Sequence, residues 1–167
     1  MCTFAKPKKF MNNDILSLEP QGVWKHFTAL NAVPRPSKKE ARVIAFMIAF
    51  GVSLDLETYE DAIGNVIIRK PATPGMEDRK IVVLQSHLDM VHQKNAATDF
   101  DFLTQGIEMY IKDDWVKAKG TTLGADNGLG VATIMAILES KDIPHPALEA
   151  LLSLIHISEP TRHSIIS

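Results

Sequence analysis

The chain has 167 residues, of which 46% are hydrophobic and 23% are charged, and its formal net charge at pH 7 is −2. This composition is typical of one folded domain and excludes a disordered or fibrous protein. The slightly negative charge argues against nucleic acid or an anionic membrane as a partner. Because Cys2 is the single cysteine, an intramolecular disulfide and a cysteine-built zinc site are both excluded.

The apolar segments of the sequence are all short. None approaches the ~20 residues that a membrane-spanning helix needs. The first ten residues contain lysines, but no apolar stretch follows them, so we expect no secretory signal. We therefore expect a cytoplasmic protein.

The first predicted elements are two helices. Val23, Trp24, Phe27 and Leu30 recur at helical spacing and predict an amphipathic helix over 20–32, which the following prolines end. A second apolar pattern predicts a helix that runs to Gly51. Ser37 and Glu40 stand three residues apart just before it, as in a capping box.

The middle and the end of the chain are predicted to alternate between strands and one helix. The continuous apolar run 81–84 predicts a strand that is buried on both faces at the centre of a sheet. The other predicted elements are strands over 54–58, 65–69 and from 148, a hairpin of 107–112 with 115–119, and a helix over 131–138. The predicted fold class is α/β, with a mixed central sheet flanked by helices and no internal repeat.

Two polar segments are candidates for a functional site. His87 and Asp89 follow the apolar run, and residues two apart on a strand point to the same side. An imidazole whose ring is oriented by a carboxylate is a common metal ligand, although a histidine beside a surface aspartate is the simpler interpretation. The second segment, 120–130, is glycine-rich and contains Asp126. By itself Asp126 is best explained as the N-cap of a helix. A phosphate-binding loop is a weaker interpretation, because Asp126 would repel phosphate.

Taken together, several stretches resemble a known family, the M20 metallopeptidases, and within it the cytosolic non-specific, or aminoacyl-histidine, dipeptidases. These stretches are Pro34-Arg35-Pro36-Ser37, the residues 61–73, Gln85-Ser86-His87-Leu88-Asp89-Met90 and the residues 115–128 with Gly124-Ala125-Asp126-Asn127-Gly128. The resemblance extends over 11–152 and implies the amino-terminal part of a two-metal peptidase catalytic domain.

The resemblance implies a reaction and a set of roles. His87 would bind one metal, Asp126 would bridge two, and Asp89 would act as the catalytic-site residue that holds the His87 ring. The cofactors would be two divalent metal ions, with zinc as the first choice and manganese or cobalt as alternatives. Dipeptides would be the substrates, and neither nucleic acid nor a membrane would be a partner. The full-length parent is expected to be a homodimer.

The chain departs from the family at its end. The family needs a Glu-Glu pair, whose first member is the general base, and also a further aspartate and a late histidine; no Glu-Glu pair occurs in this sequence. The segment 153–167 is similar to a translated sequencing adaptor, with a frameshift or a divergent terminus as the alternative. Residues 1–10 are expected to be an upstream extension.

On this basis His156, Glu159 and His163 are not expected to bind metal. His26, His92 and His145 are expected to be surface or loop residues rather than ligands.

Two other functions remain open. One is a related metal-dependent deacylase or tripeptidase, and the other is a non-catalytic α/β fragment. Because ligands and the general base are missing, the chain itself is expected to be inactive.

Overall fold

The structure is a computed structural model, and it describes residues 12–154. The predicted extension 1–10, most of the segment 153–167, and with it His156, Glu159 and His163, lie outside the described residues. The elements are a short 3-10 helix Asn12–Ser17, α1 Gln21–Asn31, α2 Ala41–Ser53, β1 Glu57–Glu60, β2 Val66–Lys70, β3 Val82–His87, β4 Met109–Lys112, β5 Trp115–Ala118, α3 Ala125–Glu139 and β6 Leu148–Ser153.

The main sheet is mixed and has the strand order β1-β2-β6-β3. β2 is antiparallel to both β1 and β6, whereas β6 and β3 are parallel. The strands β4 and β5 form a separate hairpin, as the sequence predicts. The α/β fold class with a mixed sheet is thereby confirmed.

The strand predicted at the centre of the sheet lies elsewhere. Within residues 12–154, β3 pairs only with β6, and β6 holds the inner position between β2 and β3. Val82 and Val83 point to opposite faces of β3 and are 42% and 55% exposed. The prediction was wrong because an apolar run shows that a strand can be buried, while its position depends on which strands pair with it.

One hydrophobic core joins the sheet to the helices. Its fully buried side chains include Leu30 of α1, Met47 of α2, Met135 of α3 and Ile68 and Leu152 of the sheet. Burial of such side chains stabilises the fold by roughly 1.5–3 kcal/mol each. The core therefore fixes the three helices against the main sheet.

The carboxyl end of α3 is closed by a lysine from the sheet. Lys70 Nζ donates hydrogen bonds to the carbonyl oxygens of Ile137, at 3.0 Å, and Ser140, at 2.5 Å. The last carbonyls of a helix lack partners within it and carry the negative end of its dipole, so a cation there is favourable.

The predicted capping box is not formed. The second helix begins at Ala41, and Glu40 occupies its N-cap position without a side-chain capping bond. Ser37 instead donates from Oγ to Asp89 Oδ2 at 2.5 Å, and the carboxylate of Glu40 accepts the Lys38 N–H. The hydroxyl of Ser37 is thus bonded to a carboxylate 52 positions later in the sequence and does not cap the helix.

The histidines outside the predicted site differ from one another. His92 is exposed in a loop, and His145 lies in a loop but is buried. His26 is 4% exposed, and its Nε2 lies 2.9 Å from Glu139 Oε2, so its expected surface position is wrong. The pair joins α1 to the end of α3.

Among the described residues, no helix is long and apolar enough to cross a membrane.

Candidate metal-binding site

His87 is the last residue of β3, and its neighbours hold the strand end in place. The backbone N–H of Leu88 donates to the Ser153 carbonyl at 2.9 Å, which extends the parallel pairing of β3 with β6 beyond His87. The chain then turns so that Asp89 becomes completely buried. The imidazole of His87 therefore stands at the carboxyl end of a strand, where α/β sheets usually present ligand-binding groups.

The Asp89 side chain and main chain both face the Nδ1 side of the His87 ring. Nδ1 lies 3.3 Å from Asp89 Oδ1 and 3.1 Å from the Asp89 carbonyl oxygen. Because both neighbours accept hydrogen bonds, Nδ1 carries the proton and donates it. In the neutral ring the lone pair is then on Nε2, which points away from Asp89.

Asp126 approaches His87 from the glycine-rich segment. Gly124 adopts a left-handed conformation with φ 70°, and Asp126 follows with non-helical angles of φ −91° and ψ 110° at the start of α3. Asp126 Oδ1 lies 3.2 Å from His87 Nε2, and the Asp126 side chain is 95% exposed. The structure thus brings together the three residues that the sequence singled out.

The structure gives Asp126 no side-chain capping bond. Gly124 precedes the first residue of α3, and the helical angles are interrupted at Asp126 and Asn127. Asp126 lies in the first turn instead, where a negative charge is favourable beside the positive end of the helix dipole. Its carboxylate is directed to the His87 ring.

The site opens to solvent through a shallow cleft. His87, Met90, Thr122 and Asp126 are among the residues that line it, and its volume is about 320 Å³. The imidazole of His87 and the carboxylate of Asp126 therefore lie at a surface that a small molecule can reach.

Two supporting residues were not identified as functional from the sequence. Ser37 donates to Asp89 Oδ2, and Arg35 places its guanidinium among the backbone carbonyls of both polar segments. Arg35 is 1% exposed, and burial lowers its pKa to about 10 against the opposing effect of Asp89. The one available signal was an arginine between two prolines, which cannot lie within a helix.

The chemistry of the donors fits a divalent cation in part. An imidazole nitrogen with its lone pair free and a carboxylate oxygen face each other, and both are ordinary zinc ligands. Two lone pairs at this distance repel unless a cation lies between them or Nε2 is protonated. Among residues 12–154, however, no group of three or more histidine, cysteine, aspartate or glutamate side chains could hold a metal. The described residues therefore supply an incomplete set of ligands.

Comparison with known proteins shows that the chain is similar to part of known peptidases. No protein-family model matches it. The cytosol non-specific dipeptidase of Escherichia coli (strain K12) is 44% identical over 142 residues, which are 85% of this chain and 29% of that protein.

Solved structures agree with this relationship. The aminoacylhistidine dipeptidase from Vibrio alginolyticus is 48% identical with a TM-score of 0.81, over 83% of this chain and 28% of that one. The aminopeptidase PepT from Bacillus cereus ATCC 10987 is 25% identical with a TM-score of 0.66, over 84% of this chain and 38% of that one. The chain thus spans less than a third of the length of the two dipeptidases.

Proposed function

We propose that this chain, which is related over most of its length to part of the M20-family dipeptidases, is the amino-terminal part of a metal-dependent hydrolase of dipeptides. The observation that carries the proposal is the 3.2 Å approach of His87 Nε2 to Asp126 Oδ1. It occurs in a chain that is 44% identical to a dipeptidase.

Each of the three site residues has a distinct role in this proposal. His87 would hold one metal ion through Nε2, and the carboxylate of Asp126 would hold that ion together with a second one. When bound, two such ions polarise the scissile carbonyl and provide an activated water at neutral pH. Asp89 holds Nδ1 and thereby directs Nε2 at the ion, an arrangement that also raises the basicity of the ligand.

The donor types support zinc as the first choice among divalent ions. Imidazole nitrogen with carboxylate oxygen suits zinc, and manganese or cobalt accept the same ligands. We infer that zinc is the native ion, present as a pair.

The names of the relatives support peptide substrates and a cytosolic setting. We propose that the parent acts on unblocked dipeptides in the cytoplasm and forms a homodimer. A tripeptidase or deacylase of the same family is the second candidate, and the 25% identity to an aminopeptidase favours it less than the 44% identity to a dipeptidase.

For the chain itself we propose no catalysis. A catalytic zinc ion takes three protein ligands, whereas His87 and Asp126 are two donors for two ions. A Glu-Glu pair, which the family resemblance requires for the general base, is missing from the sequence. We further propose that 11–152 is native and that the flanking 1–10 and 153–167 are not.

The deciding experiment begins with the gene. Sequencing of the source locus beyond the codon of Leu152 should recover codons for a Glu-Glu pair shortly after the strand that ends there. The protein encoded there should hydrolyse unblocked dipeptides, lose activity with a chelator and regain it with zinc. Asp126→Ala in that protein should abolish turnover, while the exposed Asp142→Ala serves as a matched control. Turnover that survives both the chelator and Asp126→Ala would exclude the proposed function.

A further inference from the structure

Arg35 is a buried cation that contacts both halves of the candidate site. Its Nη1 donates to the Leu88 carbonyl at 3.0 Å, and its Nη2 donates to the Gly124 carbonyl at 2.7 Å. Leu88 follows His87 directly, and Gly124 lies two positions before Asp126. A single guanidinium therefore joins the end of β3 to the loop that begins α3.

Asn31 extends this contact to the neighbouring carbonyl. Its Oδ1 accepts a hydrogen bond from Arg35 Nη2 at 3.0 Å, and its Nδ2 donates to the Leu123 carbonyl at 3.1 Å. Asn31 is 1% exposed, at the end of α1. The successive carbonyls of Leu123 and Gly124 are thus each held by a buried side chain.

The space around the guanidinium leaves the loop little freedom. A Cβ atom added at Gly124 or at Gly128 would lie 2.6 Å from Arg35 Nη2. Glycine at both positions allows the backbone to lie directly against the planar guanidinium. The loop that carries Asp126 is therefore packed on Arg35 as well as bonded to it.

The backbone of Arg35 holds the other segment too. Its carbonyl accepts the Met90 N–H at 3.1 Å, beside the bridge between Pro36 and Met90. The residues on both sides of Asp89 are consequently fixed to Arg35, Leu88 through the side chain and Met90 through the main chain.

We propose that Arg35, supported by Asn31, is a positioning residue that sets the distance between His87 and Asp126. The role of Arg35 in metal binding rests on the proposed function. The clamp itself, by which we mean Arg35 and Asn31 with the carbonyls that they bind, rests only on these contacts. The fork of the guanidinium is essential, because two donors a fixed distance apart reach two chain segments at once. A lysine keeps the charge but has a single ammonium group and cannot span both carbonyls.

The test compares Arg35→Lys and Asn31→Ala with Arg69→Lys in the 167-residue chain. Arg69 is an exposed arginine that bonds to Glu57 and Glu149 on the sheet, so its variant controls for loss of a guanidinium. Amide hydrogen exchange is read at Gly128, whose N–H donates to the Gly124 carbonyl at 3.1 Å. We expect at least about tenfold faster exchange there in both test variants, no change within β2, and wild-type exchange in Arg69→Lys.

Unchanged exchange at Gly128 in folded Arg35→Lys and Asn31→Ala would overturn the proposal. Equal acceleration across β2 and β6 would overturn it as well, because it shows a loss of overall stability. Asn31→Ala removes only one part of the clamp and keeps the test valid if Arg35→Lys does not fold.

Cobalt binding, followed by its visible absorption, separates this inference from the proposed function. If the wild-type chain binds Co²⁺, both test variants should bind it about tenfold more weakly, the usual scale for residues that orient ligands. If the wild-type chain binds no Co²⁺, the role of Arg35 in metal binding is rejected. Amide exchange at Gly128 then still decides whether Arg35 is a clamp.

Discussion

The Nε2 atom of His87 lies 3.2 Å from Oδ1 of Asp126, although 39 positions separate the two residues. The two side chains are held very differently. The His87 ring is mostly buried and fixed through Nδ1, whereas the Asp126 side chain is 95% exposed. Asp126 can therefore be replaced without disturbing the core, which makes it the most informative position for mutation.

Replacement of Asp126 should separate metal binding from stability. Asp126→Ala removes an exposed side chain, so the free energy of unfolding should change by less than about 0.5 kcal/mol. The weak zinc or cobalt binding expected of two donors should nevertheless be lost, because only one donor then remains. Denaturant unfolding and metal titration measure the two effects, with the exposed Asp142→Ala as control. A variant that binds metal as wild type does would reject Asp126 as a ligand.

Asp89→Asn should act on the site through His87. The asparagine amide has the size of the carboxylate but lacks its negative charge. In the wild type, that carboxylate faces His87 Nδ1 at 3.3 Å and accepts a hydrogen bond from Ser37 Oγ at 2.5 Å. We expect metal affinity to fall by roughly 10–100-fold, the usual effect of weakening a group that orients a ligand. Ser37→Ala removes the hydroxyl alone and should have a smaller effect. Metal titration of both variants measures this, and equal affinity in wild type and Asp89→Asn would show that the ring needs no carboxylate.

The convergence of His87 and Asp126 could be predicted because each residue follows a local signal. An apolar run ends three residues before His87, and glycines precede Asp126 and allow a sharp turn. Sequence periodicity also located the helices and the hairpin. The position of β3 at the edge of the described sheet could not be predicted, since strand order depends on pairing between distant segments.

Arg35 and Ser37 were missed for a related reason. Arg35 donates to backbone carbonyls, which every residue possesses, so no sequence pattern marks its partners. Ser37 and Glu40 matched a capping box, but Asp89 offers Ser37 a charged acceptor, and hydrogen bonds to charged groups are the stronger ones. His26 was assigned to the surface because its partner, Glu139, is 113 positions away.

The stability of the chain should fall on acidification, in part through His26. Burial lowers the pKa of His26, and a hydrogen bond from Lys25 lowers the pKa of Glu139. Both groups bind protons more weakly in the folded state, so their contributions to stability are present at high pH and are lost as the pH falls. For His26 the loss begins near its usual pKa of about 6.5, and for Glu139 it begins lower.

His26→Gln should therefore lose less stability than wild type between about pH 7.5 and pH 5.5. The exposed His92→Gln is the matched control and should follow the wild-type curve. Denaturant unfolding at several pH values measures the difference, and parallel curves for wild type and His26→Gln would contradict the role of burial.

The exposed edge of β3 should make the chain self-associate. Val83 is 55% exposed on a strand that pairs on one side only among the described residues. Unpaired apolar strand edges invite pairing with a second chain, and a lysine there opposes it. Val83→Lys should reduce association in sedimentation velocity over a range of concentrations. Val52→Lys, which adds the same charge at a helical residue that is 62% exposed, should not.

The 167-residue chain should not hydrolyse dipeptides. His87 and Asp126 are too few donors to hold two ions tightly, and without bound ions no water is activated at neutral pH. The Glu-Glu pair that would provide the base is missing from the sequence, and base catalysis alone contributes typically ~10²–10⁴-fold. The assay uses purified chain with excess zinc or manganese and a panel of dipeptides, some of which end in histidine. Metal-dependent turnover that persists after removal of 153–167 would show that this site is complete with groups other than those assigned to it.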